Sequence, residues 1–304
     1  MTTSCKPALS AGNTIRGKWR KRTYRIVRPL GEGSNGKVYL VRSGARTAAL
    51  KLGDDIVDLQ TEVNALRTLA GQSNGNALEL IDADDVEIDG KNYPFYVMNY
   101  VHGTAPHLFL RKNGMRWFPI VGYRLLGRLA HFHRHGLIFG DLKTDNVIVA
   151  ANGEVELVDY GGVTKKGSSV RQFTEMYDRA YWNAGSRTAD EGYDLFAFAV
   201  LCLYMAGSGR KIARMQNALP QTRSVDDLLR IANECHVCRR MAPFFRKALL
   251  GQFADSEEAV EEWKRLMRQS GWPDQRRLDM GIRAAFLGSV GLFATALYFL
   301  LQTP

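Results

Sequence analysis

The sequence predicts a two-lobed α+β architecture, strands first and helices after, with one apolar helix at the extreme C-terminus. Three observations lead there. Short β-branched and aromatic runs alternate with turn residues up to residue 101, helical apolar spacing dominates from residue 118 onward, and the stretch 284–301, AAFLGSVGLFATALYFLL, carries no charge.

Taken in order, residues 1–22 read as a basic tail with no sustained period. Residues 23–27, 38–41 and 48–52 are strand-like, the first two flanking a glycine-rich stretch. Ile56, Leu59, Val63, Leu66 and Leu69 then fall near one helical face. Strand-like runs at 85–88 and 94–98 complete a small lobe spanning 23–101. The second lobe, 102–270, begins after His102 and Gly103, with a helix at 118–134, short strands at 137–139, 147–149 and 155–158, and a polar segment at 164–192. The run DLFAFAVLCLYM at 194–205 is too short to span a bilayer and reads as a buried central helix; helical spacing resumes from 225 to 268.

A chain of 304 residues, 45% of them hydrophobic, can bury a real core, which excludes a disordered chain. Cys5, Cys202, Cys235 and Cys238 form no dense framework, so a reducing compartment is expected. Cys235 and Cys238 lack the second ligand pair that zinc needs and read as reduced thiols on a helix, Cys202 as core, and His131, His133 and His135 as polar-face residues.

The formal net charge of +10 is concentrated at the two ends. Lys6, Arg16, Lys18, Arg20, Lys21, Arg22, Arg25 and Arg28 are unopposed by any acidic residue before position 29. Lys264, Arg265, Arg268, Arg276, Arg277 and Arg283 precede the apolar run. Such clusters position a protein at a membrane or bind DNA or anionic lipid without reading bases. No N-terminal signal peptide is visible. The run 284–301 would extend about 27 Å as a helix, enough to cross a bilayer core. With 271–283 as a basic juxtamembrane segment and no positive charge after the span, the expectation is a single-pass cell-membrane protein whose globular part faces the cytoplasm. Gly281, Ala284, Gly288, Gly291 and Thr295 form a small-residue stripe that could pair two copies as a homodimer.

The chemistry sits elsewhere. Gly31, Gly33 and Gly36, followed by Val38, spell GEGSNGKV between two strand-like runs, where glycines permit a tight turn and let backbone N–H groups approach phosphate. A strand rather than a helix follows, which disfavours a dinucleotide site. Lys51 ends an apolar strand and needs an anionic partner, for which Glu62 on the next helix is the obvious choice. Further on, FGDLKTDN supplies Asp141, Lys143 and Asn146, and VDYGG supplies Asp159. Phosphoryl transfer requires these types: a carboxylate to take the hydroxyl proton, an amide and a second carboxylate for a metal, and lysines against phosphate charge.

This set resembles the bacterial Hanks-type Ser/Thr protein kinases over about residues 23–268. The resemblance implies a β-rich N-lobe, a helical C-lobe and ATP between them with Mg2+, Mn2+ being the alternative metal. It implies Lys51 on the α- and β-phosphates paired with Glu62, Asp141 as catalytic base, Lys143 near the γ-phosphate, and Asn146 and Asp159 on the metal. Met98 would back the adenine pocket, with Asn99 to Val101 as the hinge, and Asp194 would prop the catalytic loop. More narrowly, GNTIRGKW, EGSNGKVYLV, IFGDLKTDNVIV, GGVTKKG, FTEMYDRAYW and EGYDLFAFAV are similar to membrane-anchored sporulation kinases of spore-forming bacteria.

Departures accompany the resemblance. Phe139-Gly140 stands where His-Arg is usual, so the arginine that would grip an activation-segment phosphate is absent; the Ala-Pro-Glu closing that segment is missing, and Tyr160 replaces a phenylalanine. Thr164, Ser168, Ser169 and Thr174, in the polar segment after Asp159, are candidate autophosphorylation sites, and the spacer from Lys51 to Glu62 implies a trimmed helix. Two other functions compete with Ser/Thr phosphorylation of cytoplasmic proteins and of the chain itself. One is a small-molecule phosphotransferase of aminoglycoside or choline kinase type, which shares a glycine before the aspartate. The other is a DNA-responsive membrane regulator.

Overall fold

The computed structural model describes residues 9–33, 36–70, 79–216, 219, 222–272 and 289. The apolar run 284–301, apart from Ser289, lies outside the described residues, as do 273–283 and the first eight residues.

The N-lobe is a six-stranded antiparallel sheet, ordered β1-β2-β3-β4-β6-β5, covered on one face by helix α1. Its elements are β1 (Thr14–Arg16), β2 (Thr23–Gly33), β3 (Gly36–Ser43), β4 (Arg46–Leu52), α1 (Ile56–Ala70), β5 (Leu80–Ile88) and β6 (Lys91–Asn99). Strand alternation assigns the two faces. Tyr24, Ile26, Tyr39, Val41, Leu50, Leu52, Phe95 and Val97 fill one core, whereas Ala49, Lys51, Tyr96 and Met98 turn to α1 and the interlobe cleft. Asp55 starts α1 by accepting hydrogen bonds from the N–H groups of Val57 and Asp58 at 2.7 and 3.0 Å. The helix buries Leu59, Val63, Leu66 and Leu69, and with them Glu62.

The expected tail is shorter than residues 1–22. Thr14–Arg16 pairs antiparallel with β2, and Asp84 accepts from the N–H groups of Trp19 and Arg20 at 3.0 and 2.7 Å. Arg20 also reaches the buried Asp82 at 3.1 Å. A three-residue strand shows no period, and its anchoring carboxylates lie some sixty residues away. The same carboxylates hid the first half of β5, whose polar residues read as loop.

The C-lobe comprises α2 (Pro106–Asn113), α3 (Phe118–Arg134), β7 (Leu137–Ile138), β8 (Val147–Val149), β9 (Val155–Leu157), β10 (Thr164–Lys165), α4 (Glu191–Leu203), α5 (Gly209–Gln216), α6 (Val225–Glu234), α7 (His236–Arg239), α8 (Ala242–Leu249) and α9 (Ser256–Gln269). β8 and β9 form a hairpin beneath the cleft, and β10 pairs with β7. The fully buried Trp263 of α9 fixes α3, α4 and α8 together: its Nε1 donates to the Pro119 carbonyl at 2.9 Å, and its ring lies edge-on to Phe198 and Phe244.

Among the described residues, one helical stretch is long and apolar enough to cross a membrane, Glu191–Met215. It contains the expected central helix: every residue from Tyr193 to Leu203 is buried in the C-lobe, and Gly207, with φ 92°, breaks the stretch before α5.

Candidate active site

The two lobes enclose a cleft of about 630 Å³ lined by all of Gly31, Gly33, Gly36, Val38, Lys51, Met98, Asn99, Val101, Lys143, Asn146 and Asp159. Leu30, Val38, Ala49 and Met98 make its apolar end. Gly36, at φ +148°, begins β3 where a Cβ would run into the Leu52 carbonyl, so the turn closes only with glycine. A Cβ built on Gly33 would meet the Asp159 carboxylate at 3.9 Å, which places the glycine-rich turn directly over Asp159.

At the polar end, the Lys51 ammonium donates to both Glu62 oxygens at 2.7 and 2.8 Å and to Asp159 Oδ1 at 2.7 Å. The Tyr96 hydroxyl donates to Glu62 Oε2 at 2.8 Å, so this buried carboxylate is fully partnered. Burial works against the Lys51 charge, but the two carboxylates outweigh it and hold its pKa above the ordinary lysine value. Asp159 is half-buried, and Lys51 outweighs that burial and keeps its carboxyl below the usual range. Asp159 adopts a left-handed backbone, φ 62° and ψ 87°, unusual for a non-glycine. Tyr160 anchors that conformation by stacking on Phe132 and meeting Phe139 edge-on, with ring centroids 5.5 and 6.3 Å away. The Tyr-for-Phe change is thus absorbed within an aromatic core. Glu62 sits mid-helix in a 15-residue α1, so the short spacer after Lys51 does not shorten the reach of the helix.

Asp141 is held from three sides. Lys143 Nζ donates to its Oδ2 at 2.6 Å, Thr174 Oγ1 donates to its Oδ1 at 2.9 Å, and Asn146 Nδ2 donates to its carbonyl at 2.8 Å. The loop hangs from α4, where the buried Asp194 accepts from the N–H groups of Phe139 and Gly140 at 2.7 and 2.9 Å. Gly140 has φ +80°, and a Cβ there would lie 2.7 Å from the Gly162 carbonyl. In this backbone any side chain at position 140 would be strained, and glycine adopts it freely.

His133 corrects an expectation. It is buried rather than on a polar face, with Nε2 2.9 Å from Asp194 Oδ2, so it braces the residue that carries the catalytic loop. Thr174, one of the candidate phosphoacceptors, turns its hydroxyl onto Asp141. The segment around it, with no closing Ala-Pro-Glu, is fixed by carboxylates. Asp178, wholly buried, accepts from Arg187 at 2.8 Å and from the Tyr193 hydroxyl at 3.1 Å, and Arg179 grips both oxygens of Asp190 at 2.7 Å. Arg171 reaches Asp58 on α1 at 3.0 Å, one turn before Glu62. Sequence reasoning missed Thr174, Asp178 and Arg187 as structural elements. The signal was the aromatic density of FTEMYDRAYW, unusual for a solvated loop.

Because Thr174 bonds a charged group, Thr174→Ala is expected to cost about 1.5–3 kcal/mol of positioning, roughly 10- to 100-fold in kcat. Thr174→Ser should restore most of it. Steady-state kinetics of both variants check this; equal losses in the two would show that the hydroxyl is not what matters.

The protein kinase domain model matches residues 24–268. The chain belongs to the protein kinase family, and it resembles serine/threonine-specific members. It is 39% identical over 205 residues to the serine/threonine-protein kinase YabT of Bacillus subtilis, covering 66% of this chain and 61% of that protein. It is 31% identical to the serine/threonine-protein kinase SBK2 of Rattus norvegicus, over 54% of this chain and 47% of the other. To the serine/threonine-protein kinase SMU1 of Mycosarcoma maydis it is 24% identical, over 60% and 25% respectively. The chain thus spans less than two thirds of each relative's length. The narrower resemblance read from the sequence is to the first of the three. Membership implies use of ATP and a divalent cation, and the residues fit both: an apolar slot lies beside a lysine-carboxylate cluster, and the hard oxygen donors of Asn146 and Asp159 suit Mg2+.

Proposed function

We propose that the chain is a serine/threonine protein kinase that transfers the γ-phosphoryl group of ATP to hydroxyls of other proteins and of itself. The observation that carries this reading is a single cleft lined by Lys51, Lys143, Asn146 and Asp159, in which Lys51 bonds Glu62 and Asp159 while Lys143 bonds Asp141, itself held also by Thr174. Asp141 takes the proton of the acceptor hydroxyl, with Lys143 and Thr174 fixing the orientation of its carboxylate. Lys51, oriented by Glu62, neutralises the nonreacting phosphates, and the glycine-rich turn supplies backbone N–H groups from above. Asn146 and Asp159 hold the divalent cation, which supplies neutralisation of developing phosphate charge; Mg2+ is the favoured ion and Mn2+ an alternative. Lys143, two residues after Asp141, fits a protein acceptor better than a small-molecule one. Phosphoamino-acid analysis after incubation with ATP tests the reading; a chain that consumes ATP only with small-molecule acceptors would refute it.

The segment after Asp159 is held by ion pairs in its unphosphorylated form, and Gly140 offers no side chain to a phosphate. Replacing Thr164, Ser168 and Ser169 together by alanine, with Thr174 kept for its bond to Asp141, is therefore expected to leave at least partial activity. Inactivation of that variant would show that another basic residue grips a phosphate there.

The finer reading adds a membrane anchor at 284–301 with the kinase domain in the cytoplasm, self-association through the small-residue stripe, and activation by DNA or another polyanion. A link to sporulation rests on the resemblance to sporulation kinases. What supports anchoring is the uncharged run and its preceding arginines, Arg276, Arg277 and Arg283; what supports polyanion binding is the exposed Arg16, Lys21, Arg25 and Arg28 on the N-lobe. Binding of duplex DNA to the full chain is expected to weaken steeply between low and high salt, as counterion release requires. Salt-independent binding, or none, would remove the DNA part, and recovery of the full chain in the soluble fraction of cells would remove the anchor.

A further inference from the structure

We propose that Cys235 and Cys238 form a reversible redox pair, a modification site on the C-lobe, remote from the cleft, that closes to a disulfide on reaction with hydrogen peroxide. Cys235 follows the last residue of α6 and caps α7: its Sγ accepts a hydrogen bond from the Cys238 N–H at 3.4 Å, and its carbonyl accepts from Arg239 N–H at 2.8 Å. One helical turn separates the two Cα atoms, about 5 Å by helix geometry, inside the roughly 4.4–6.8 Å that a disulfide spans. The pair is also asymmetric in exposure. Cys235 is half-buried and open to small reagents, while Cys238 is wholly buried behind it among the C-lobe apolar residues.

That asymmetry divides the chemistry. The Cys238 thiol hydrogen-bonds to Cys235 and, with burial opposing and nearby backbone N–H groups and His236 assisting, draws the Cys235 thiol down to about 6. The same hydrogen bond, reinforced by burial, pushes Cys238 up, so the outer sulfur is the nucleophile and the inner one the proton-bearing resolver. Cys202 on α4 is buried and pushed up by burial, with nothing to activate it. Among the described residues, no cluster of three or more His, Cys, Asp and Glu side chains includes these two sulfurs.

The reaction balances with the peroxide as oxidant. The Cys235 thiolate attacks one peroxide oxygen, an S–O bond forms, the O–O bond breaks, and the leaving hydroxide takes a proton to become water. Cys238 Sγ then attacks the resulting sulfenic sulfur; the S–S bond forms, the S–O bond breaks, and the second hydroxide leaves as water with the Cys238 proton. Two thiols lose two electrons in total and one peroxide becomes two waters, and an external dithiol reverses the change.

The test uses the full-length chain in detergent, reduced, freed of thiol, and treated with increasing hydrogen peroxide before alkylation and peptide mapping by mass spectrometry. The expected result is a peptide carrying an internal Cys235–Cys238 bond, lost again on adding dithiothreitol. Cys238→Ser is expected to accumulate a dimedone-reactive sulfenic acid at Cys235. In Cys235→Ser, peroxide consumption at Cys238 should fall by at least tenfold. Basal kinase activity, unchanged in both variants, shows that each is folded. The proposal is overturned if both thiols of the wild-type chain remain fully alkylatable after peroxide, if the bond that forms instead joins Cys5, Cys202 or a second chain, or if Cys238→Ser yields no sulfenic acid.

Discussion

Replacing Asp141 by asparagine is expected to lower kcat by roughly 10²- to 10⁴-fold with little change in ATP affinity or thermal stability. The side chain is isosteric, its amide oxygen can still accept from Thr174, and the Asn146 bond to the Asp141 backbone carbonyl is untouched. What is lost is the group that receives the hydroxyl proton, together with the ion pair from Lys143 to Oδ2. A variant retaining more than a tenth of the wild-type rate would mean that proton acceptance at this position is not part of the reaction. A variant inactive because it unfolds would show a lowered melting temperature, which is measured alongside.

The second large effect concerns Lys51. Its ammonium is buried and is the cation against which Glu62 and Asp159 are set, so Lys51→Met strands a carboxylate that is 1% exposed with only the Tyr96 hydroxyl for company. Breaking a buried pair from one side costs about 3–5 kcal/mol. For a domain of this size that is a drop in melting temperature on the order of 10 °C. Activity is expected to vanish as well, since phosphate positioning is lost. Lys51→Met with Glu62→Leu separates the two consequences: removing both charges is expected to restore most of the stability and none of the activity. A single variant that melts at the wild-type temperature would contradict the account of the pair. An active double variant would contradict its role in transfer.

Much of the site was readable because phosphoryl transfer demands particular residue types in a fixed order. Lys51, the loop carrying Asp141, Lys143 and Asn146, and Asp159 come from three separate stretches; Lys51, Lys143, Asn146 and Asp159 line one cleft, with Glu62 bonded to Lys51 and Asp141 bonded to Lys143. The strand–turn–strand around Gly31 and Gly36 was equally legible, since only a glycine closes the turn at Gly36. What the sequence concealed was long-range electrostatics. Nothing local distinguishes Asp178 from a surface aspartate, yet its burial and its pairing with Arg187 and Tyr193 fix the segment that carries Thr174. His133 looked like one of three solvent-facing histidines, and only the position of Asp194, sixty-one residues on, turns it inward. The absent arginine before Asp141 was legible as a departure, but the left-handed backbone of Gly140 packed against Gly162 needed coordinates.

The activation segment is tied to α1 through Arg171 and Asp58, and α1 carries Glu62, so the two halves of the site are coupled without phosphate. Both partners of that tie are partly exposed, so its own worth is small, about 0–1 kcal/mol; the buried Asp178 is the stronger anchor.

The most direct measurement is incubation of the full-length chain with radiolabelled ATP, magnesium and a generic basic protein, followed by acid hydrolysis and phosphoamino-acid separation. Label on serine and threonine of both the added protein and the chain, absent in Asp141→Asn and when magnesium is chelated, is the expected result. Hydrolysis of ATP with no label in protein, or labelling that persists undiminished in Asp141→Asn, would contradict the assignment.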